Sequence, residues 1–231
     1  MKRTLPTSMF ILVLAIASPA GARAATMALN DNAGQTYILH IATLKEVKYR
    51  NTIHQKYDFS CGSAAVATLL TYQYDYPVNE QIVFEQMYAH GDRRKINREG
   101  FSLLDIKFYL ASIGFDADGF HASLDQLQKA GLPAIVLIED RGYHHFVVIK
   151  GIRYGRVLVG DPARGTRAIP LDRFDQLWKN KLLFVIHNRR EFAHFNTDSD
   201  WRSAPLAPLG IGIDRRGLDT ITMSKYGPGD I

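Results

Sequence analysis

The sequence predicts an α+β domain in which helices come first along the chain and an antiparallel sheet follows. Between residues 60 and 131, apolar residues recur every three or four positions, which is the period of a helix that buries one face. After Pro133 the apolar segments become short, are rich in β-branched residues and are bounded by Gly, Asp or Pro, which is typical of strands. A block of helices followed by a block of strands indicates α+β order rather than alternating βαβ units.

The first 24 residues predict an export signal. Lys2 and Arg3 precede an apolar stretch from Met9 to Ala17. The segment Ala22-Arg23-Ala24 then offers the small-x-small pattern of a cleavage site. The stretch is shorter than the roughly 20 apolar residues that a membrane span requires, and no later segment approaches that length. We therefore expect cleavage near Ala24 and a periplasmic mature chain without a stable membrane span, the alternative being an uncleaved signal that acts as an anchor.

The charge pattern argues against a nucleic-acid partner. The formal charge is +5, and it falls to +2 when the three basic residues of the export signal are removed, because that segment contains no acidic residue. The other basic residues are interspersed with acidic ones, apart from short clusters at residues 93–95 and 189–190 that are typical of a solvated surface. The eight histidines show no metal-ligand spacing and the chain has no phosphate-binding glycine loop, so we expect neither a metal nor a cofactor.

Three regions follow the export signal. Residues 25–50 are expected to form an N-terminal arm that contains one strand, and residues 51–188 form the main domain. Beyond these, residues 189–231 lose apolar periodicity and are rich in Pro, Gly and Asp, so we predict an irregular tail. Trp201 and the stretch Leu206–Ile213 are expected to dock this tail on its own domain.

Within the main domain, capping residues locate the helices. Asn79 is a predicted N-cap, Ser102 with Asp105 and Ser123 with Gln126 are predicted capping pairs, and residues 91–100 are predicted as a charged loop. The full set of predicted helices is residues 60–72, 79–86, 102–114, 123–131 and a short one around 174–178. The predicted strands are residues 134–138, 146–149, 157–159 and 182–186.

Cys61 is the single cysteine of the chain, and it lies at the first turn of the first predicted helix of the main domain. One thiol can form neither an internal disulfide nor a thiolate-rich zinc site, so nucleophilic attack and inert packing are the two roles left to it. An exposed free thiol is a liability in an oxidising compartment. The free N–H groups of a helix start favour a thiolate, which makes this position suitable for a nucleophile.

Residues that could assist such a nucleophile lie in three other segments. His144 and His145 are adjacent in a predicted strand, so their side chains leave on opposite faces and only one can meet Cys61; the pattern leaves open which one. Asp161 follows the next predicted strand, where it could orient an imidazole, although Asp-Pro after a strand is also an ordinary turn. Gln55 could donate its amide, together with a backbone N–H, to the oxyanion of a tetrahedral intermediate.

Taken together, these segments resemble the C39 peptidase family, papain-like cysteine peptidases best known as N-terminal domains of transporters that remove double-glycine leaders from bacteriocins. The resemblance covers about residues 50–187 and lies in Gln55 with Cys61-Gly62 six residues on, in His145-Phe146-Val147-Val148 and in Gly160-Asp161-Pro162-Ala163. It implies a papain-like fold in which an N-terminal helical half packs on an antiparallel sheet, and it makes residues 51–188 a C39-like peptidase domain.

The resemblance also implies a role for each matched residue. Cys61 is then the nucleophile, His145 rather than His144 the general base, Asp161 the orienting acid and Gln55 the oxyanion donor. One departure is Ser60, since transporter-linked members usually have Asp directly before the cysteine. Because no membrane spans or ATPase accompany the domain, the chain is most similar to stand-alone exported members, some of which accompany secretion systems for surface adhesins or functional amyloid.

Three functions follow from these residues. The leading hypothesis is a periplasmic endopeptidase whose partner is an exported polypeptide, such as a component of a secretion or amyloid system. The second is a catalytically silent chaperone or adaptor that uses the same fold to hold an exported client. The third, amide chemistry on cell-wall peptides or transglutamination, uses the same thiol and imidazole.

Overall fold

The computed structural model describes residues 25–30 and 36–204, which divide into two units at Thr43. In the first unit, strands β1 (Ala25–Asn30) and β2 (Thr36–Ile41) pair antiparallel. The sequence indicated a strand over residues 36–41 but not its partner. The predicted export signal and the stretch Leu206–Ile213 lie outside the described residues.

The second unit contains helices around a six-stranded sheet. Its helices are α1 (Leu44–Tyr49), α2 (Cys61–Gln73), α3 (Glu80–His90), α4 (Arg93–Glu99), α5 (Leu103–Ser112), α6 (Leu124–Ala130), α7 (Leu171–Leu177) and α8 (Asp198–Ser203). Its strands are β3 (Ala117–His121), β4 (Ala134–Asp140), β5 (Tyr143–Arg153), β6 (Arg156–Asp161), β7 (Gly165–Pro170) and β8 (Leu182–Ile186). The strand order is β3-β8-β4-β5-β6-β7 and every pairing is antiparallel, which confirms the predicted α+β class.

Local capping explains why the helices begin where the sequence predicted. The Asn79 side chain accepts a hydrogen bond from the backbone N–H of Ile82 at the start of α3. Ser102 with Asp105 and Ser123 with Gln126 form complete capping boxes at α5 and α6. Each box satisfies two backbone donors that the first turn of a helix leaves free.

Two faces of the sheet are covered by different helices. On one face, α2, α3 and α5 pack against Phe146 and Val148 of β5. On the other face, α6 and α7 pack against Val147 and Ile149 of the same strand. Because successive side chains of a strand point to opposite faces, β5 is buried on both sides and forms the centre of the domain. This arrangement is why β5 reads as a continuous apolar run rather than an alternating one.

The prediction of a charged loop over residues 91–100 is wrong. That segment contains α4, which is capped by the Asp92 side chain and ends at Gly100, whose φ of +79° is readily adopted only by glycine. Only Ile96 of this helix is buried. A seven-residue helix with one buried side chain leaves no apolar periodicity in the sequence, which is why the pattern missed it.

Three further elements were not predicted: helix α1 and the edge strands β3 and β7. The edge strands contain Gly119 and Gly165, and β7 ends in Pro170, all residues that are poor strand formers. Strand β3 pairs with β8, which is distant in sequence, whereas β7 forms a hairpin with β6, the strand directly before it. Local propensity carries little information about such strands.

The start of the predicted tail differs from an irregular chain. Residues 190–192 form a 3₁₀ turn and residues 198–203 form α8. The carboxylate of Asp200 is buried and contacts the Lys150 Nζ of β5 at 2.6 Å. Asn196 accepts from the backbone N–H of Ile152 at 2.8 Å. The tail around Trp201 therefore docks on its own domain, as expected.

Candidate active site

Cys61 is the first residue of α2 and is 8% exposed. The chain turns into this helix through a small ring of hydrogen bonds, because Ser60 Oγ donates to the Tyr57 carbonyl and accepts from the Tyr57 N–H. Gly62 follows, and a Cβ at this position would lie 2.9 Å from Cβ of Phe101. Close packing therefore explains the glycine after the cysteine, since a larger residue at position 62 would displace Phe101.

The environment of the thiol contains opposing influences. Burial raises the pKa of Cys61, while hydrogen bonding from the backbone N–H groups of Phe146, Gly62 and Cys61 itself lowers it, and the net pKa is raised. The start of α2 therefore supplies backbone N–H donors, as the sequence predicted. These donors lower the pKa of the thiol by less than burial raises it. A thiolate at this position requires a proton acceptor nearby.

The structure separates the two adjacent histidines. His144 is exposed and its Nε2 lies 3.2 Å from the Glu139 carboxylate on β4. His145 is 1% exposed, and its Nε2 lies 3.2 Å from Oδ2 of Asp161. The antiparallel pairing of β5 with β6 brings these two side chains together from residues 16 positions apart. The sequence pattern left open which histidine faces the interior, and the structure places His145 there, beside Asp161.

Asp161 has a full set of donors. Its Oδ1 accepts from the backbone N–H groups of Ala163 at 2.9 Å and Arg164 at 3.2 Å. Its Oδ2 faces the His145 imidazole and the Arg167 guanidinium. Burial acts to raise the pKa of Asp161, but the hydrogen bond and charge of His145, the charge of Arg167 and the Ala163 N–H outweigh it and lower the pKa. The carboxylate is therefore held ionised beside the imidazole.

The other ring nitrogen of the imidazole has no assigned partner. Nδ1 of His145 is buried and makes no hydrogen bond in this structure. The Cys61 thiol receives the backbone N–H of Phe146, the residue that follows His145 in β5. An unpaired buried ring nitrogen is costly, about 1 to 3 kcal/mol. The imidazole and the backbone N–H that acts on the thiol thus belong to consecutive residues of β5.

Gln55 joins the two halves of the site. Its backbone N–H donates to the Pro162 carbonyl at 3.1 Å, directly after Asp161. Its side-chain Nε2 donates to the Tyr57 carbonyl at 2.9 Å and to the Asp58 carbonyl at 3.5 Å, and its Oε1 is buried without a partner. The structure thus places Gln55 beside the loop that leads to Cys61, with both donations directed to that loop. The longer hydrogen bond, to Asp58, is the one that an oxyanion could replace.

Tyr143 is a site residue that the sequence analysis missed. Its ring stacks on His145 with centroids 5.4 Å apart, and its hydroxyl donates to the Asp58 carbonyl at 2.8 Å. It therefore bridges β5 and the loop before Cys61. Its position two residues before His145 puts it on the same strand face, which is the one sequence signal that could have found it.

A groove of about 590 Å³ runs past the thiol. Cys61, Tyr143 and Phe146 are among the residues that line it. The other lining side chains are apolar, polar or charged, and they are Asp58, Phe59, Lys95, Arg98, Glu99, Phe101, Ser102, Leu103, Leu137 and His144. Three of the charged ones come from α4, so the helix that the sequence missed contributes to the lining of the groove. A channel of this mixed character suits an extended polypeptide.

Metal chemistry has no evident site in the described part of the chain. No group of three or more His, Cys, Asp or Glu side chains there could hold a metal ion. Across the same residues, no helix combines the length and apolarity that crossing a membrane would require.

A thiol at a helix start, a buried imidazole and carboxylate on the adjoining sheet, and a groove beside them are the features of a cysteine peptidase. The model of the peptidase C39 family matches residues 49–190 of this chain. The chain therefore belongs to the peptidase C39 family, and the predicted family, papain-like fold and enzyme class are confirmed.

Two curated relatives have the same name, probable functional amyloid protease FapD. The protein from Pseudomonas aeruginosa (strain PAO1) is 41% identical over 146 residues, which are 63% of this chain and 64% of that protein. The protein from Pseudomonas fluorescens is 37% identical over 176 residues, 76% of each chain. The match thus spans just under two thirds of the first relative's length.

Among solved structures, the peptidase domain of Streptococcus ComA, a bifunctional ABC transporter of a quorum-sensing pathway, is similar in fold. It is 20% identical, covers 59% of this chain and 97% of its own, and has a TM-score of 0.50. At this identity the likeness shows the fold alone.

Proposed function

We propose that the chain is an exported cysteine endopeptidase that acts in the periplasm through Cys61, His145, Asp161 and Gln55. The observation that carries the proposal is the buried contact of His145 Nε2 with Asp161 Oδ2, which leaves Nδ1 without a partner next to the strand position that contacts the thiol. A buried imidazole held by a carboxylate on one side and open on the other is arranged for proton transfer.

In the proposed reaction, Nδ1 of His145 takes the Cys61 proton as the sulfur attacks the scissile carbonyl. The resulting oxyanion accepts from the backbone N–H of Cys61 and from the Gln55 amide, whose long hydrogen bond to the Asp58 carbonyl it replaces. A donor of this type is worth roughly 2.7 to 4 kcal/mol. The imidazolium then protonates the leaving amine, and an acyl-enzyme remains on the sulfur. A water molecule deprotonated by the imidazole releases the acyl group as a carboxylate and restores the thiol.

The substrate proposed is an exported polypeptide of a functional-amyloid secretion system. Two observations support it: both relatives named above are called probable functional amyloid proteases, and a groove of about 590 Å³ lies beside Cys61. Periplasmic location is supported by the export-signal pattern of residues 1–24. Mass measurement of the protein recovered from a periplasmic fraction tests it, and the expected N-terminus is near Ala25.

The decisive experiment incubates the mature protein with candidate exported polypeptides, beside Cys61→Ala and His144→Ala variants. Product that forms with the wild type and the His144→Ala variant but not with Cys61→Ala supports the proposal. Identical fragments from the wild type and Cys61→Ala would remove the enzymatic function.

Two observations favour a second candidate, a catalytically silent adaptor for an exported client. Burial raises the pKa of the Cys61 thiol, and the Gln55 amide donates to two loop carbonyls, as expected for an inert site. The pH dependence of Cys61 alkylation separates the two candidates. Reaction that persists well below the ordinary thiol pKa of about 8.5 indicates an ion pair and the enzyme, whereas reaction only near that value indicates the adaptor.

A further inference from the structure

Arg167 of β7 contacts the same carboxylate oxygen as the imidazole. Its Nη2 lies 2.8 Å from Oδ2 of Asp161, and Nε2 of His145 lies 3.2 Å from that atom. Asp161 and His145 are almost completely buried, whereas 25% of the Arg167 side chain is exposed. The carboxylate therefore faces two cationic or potentially cationic groups, one buried and one at the edge of the domain.

The hairpin of β6 and β7 fixes this contact. Val159 pairs with Arg167 and Asp161 pairs with Gly165, so the guanidinium and the carboxylate leave the same face of neighbouring strands. Nε and Nη2 of Arg167 are buried and make no hydrogen bond. The short distance to Asp161 is thus a contact between charges without the aligned geometry of a hydrogen bond.

We propose that Arg167 is a positioning residue for the catalytic set, which acts through Asp161 by dividing the carboxylate's charge between the guanidinium and the imidazole. This inference rests on the proposed function. The guanidinium holds Oδ2 in place and offsets part of the negative charge that the Cys61 thiolate would otherwise face. Without it, the full carboxylate charge would oppose formation of the thiolate.

Other ionisable groups around Asp161 do not replace this cation. Arg164 is directed away, since its Nη1 contacts the Asp140 carboxylate at 2.5 Å. The Tyr49 hydroxyl of α1 donates to the Ala163 carbonyl. The Tyr143 hydroxyl donates to the Asp58 carbonyl. Among the described residues, the guanidinium of Arg167 is the cation in ion-pair contact with the carboxylate besides the imidazole.

The test measures the rate of Cys61 alkylation by iodoacetamide as a function of pH in the folded mature protein. We expect Arg167→Met to move the half-point of the profile upward by about half a pH unit or more, because the thiolate then forms beside an uncompensated carboxylate. Arg167→Lys keeps the charge and should return the half-point most of the way to that of the wild type. Arg156→Met, at the far end of β6, removes one positive charge as the matched control.

The inference is supported if the half-point of the alkylation profile moves upward in Arg167→Met, stays unchanged in Arg156→Met and returns toward the wild-type value in Arg167→Lys. Equal profiles in the two Met variants, or a downward shift in Arg167→Met, overturn it. The proposed function is tested separately by the wild-type half-point and by peptide cleavage. A circular-dichroism melt of each variant identifies any loss of folding, in which case Arg167→Lys alone decides.

Discussion

Nε2 of His145 and Oδ2 of Asp161 lie 3.2 Å apart between side chains that are 1% and 0% exposed. Water does not screen a pair at this depth, so the carboxylate acts on the imidazole more strongly than an exposed one would. The pair also fixes which ring nitrogen remains open. In the neutral imidazole, a proton on Nε2 that faces Asp161 leaves Nδ1 as a hydrogen-bond acceptor.

Asp161→Asn should lower the rate of peptide cleavage by about two orders of magnitude or more, because a neutral amide neither stabilises the imidazolium nor enforces its tautomer. Initial rates with an exported polypeptide substrate measure the effect. Asp140→Asn is the control, since Asp140 is also largely buried and contacts Arg164 rather than the imidazole. A similar loss in both variants would contradict the assignment of Asp161.

The same carboxylate should contribute to stability in a pH-dependent way. The pKa of Asp161 is lowered in the folded protein, so the stability it contributes is fully present above its unfolded value near 3.9 and is lost as the pH falls through the folded pKa. Urea unfolding of the wild type and Asp161→Asn between pH 7 and pH 3 measures this. The difference in unfolding free energy should be constant at the upper end and shrink below about pH 4. A difference that grows in acid would be inconsistent with a lowered pKa.

The buried pair of Lys150 and Asp200 should stabilise the docked tail. Gln73 and Asn51 also donate to the Asp200 carboxylate, at 3.0 and 3.1 Å. Lys150→Met should therefore cost about 3 to 5 kcal/mol of unfolding free energy, because it leaves a buried carboxylate without its cation.

The double variant Lys150→Met/Asp200→Asn removes both charges and should recover part of the unfolding free energy that Lys150→Met loses. Urea unfolding of the wild type and the variants measures this recovery. Asp198→Asn is the control in the same helix, because Asp198 is 75% exposed, and its unfolding free energy should stay close to that of the wild type. A double variant no more stable than Lys150→Met would show that the buried charge is not the source of the loss.

Tyr143→Phe should open the groove without removing the ring that stacks on His145. Loss of the hydrogen bond to the Asp58 carbonyl should increase the rate of Cys61 alkylation by a bulky maleimide roughly twofold to tenfold, with a smaller increase for iodoacetamide. Tyr57→Phe removes a hydroxyl from the loop before Cys61 and should leave the ratio of the two rates unchanged. Equal ratios in all three proteins would rule out Tyr143 as a bridge that limits access.

Local sequence was sufficient to predict where α3, α5 and α6 begin. The capping side chains of Asn79, Ser102 and Ser123 act within one helical turn, so their helices could be located without knowledge of the rest of the chain. The lone cysteine at a helix start and its glycine likewise identified the nucleophile candidate. The edge strand β7 escaped because it contains Gly165 and Pro170, which are poor strand formers, and α4 escaped because seven residues with one buried side chain leave no apolar period.

Sequence by itself indicated the class of chemistry through its resemblance to the C39 family, which lies in Gln55, in Cys61-Gly62, in His145-Phe146-Val147-Val148 and in Gly160-Asp161-Pro162-Ala163. Only the tertiary structure showed which histidine is buried beside Asp161, since strand alternation separates the faces of His144 and His145 but does not say which face meets Asp161. The pairing of β5 with β6 put His145 there, and the pairing of β6 with β7 brought Arg167 to the same carboxylate, because contacts between strands depend on register.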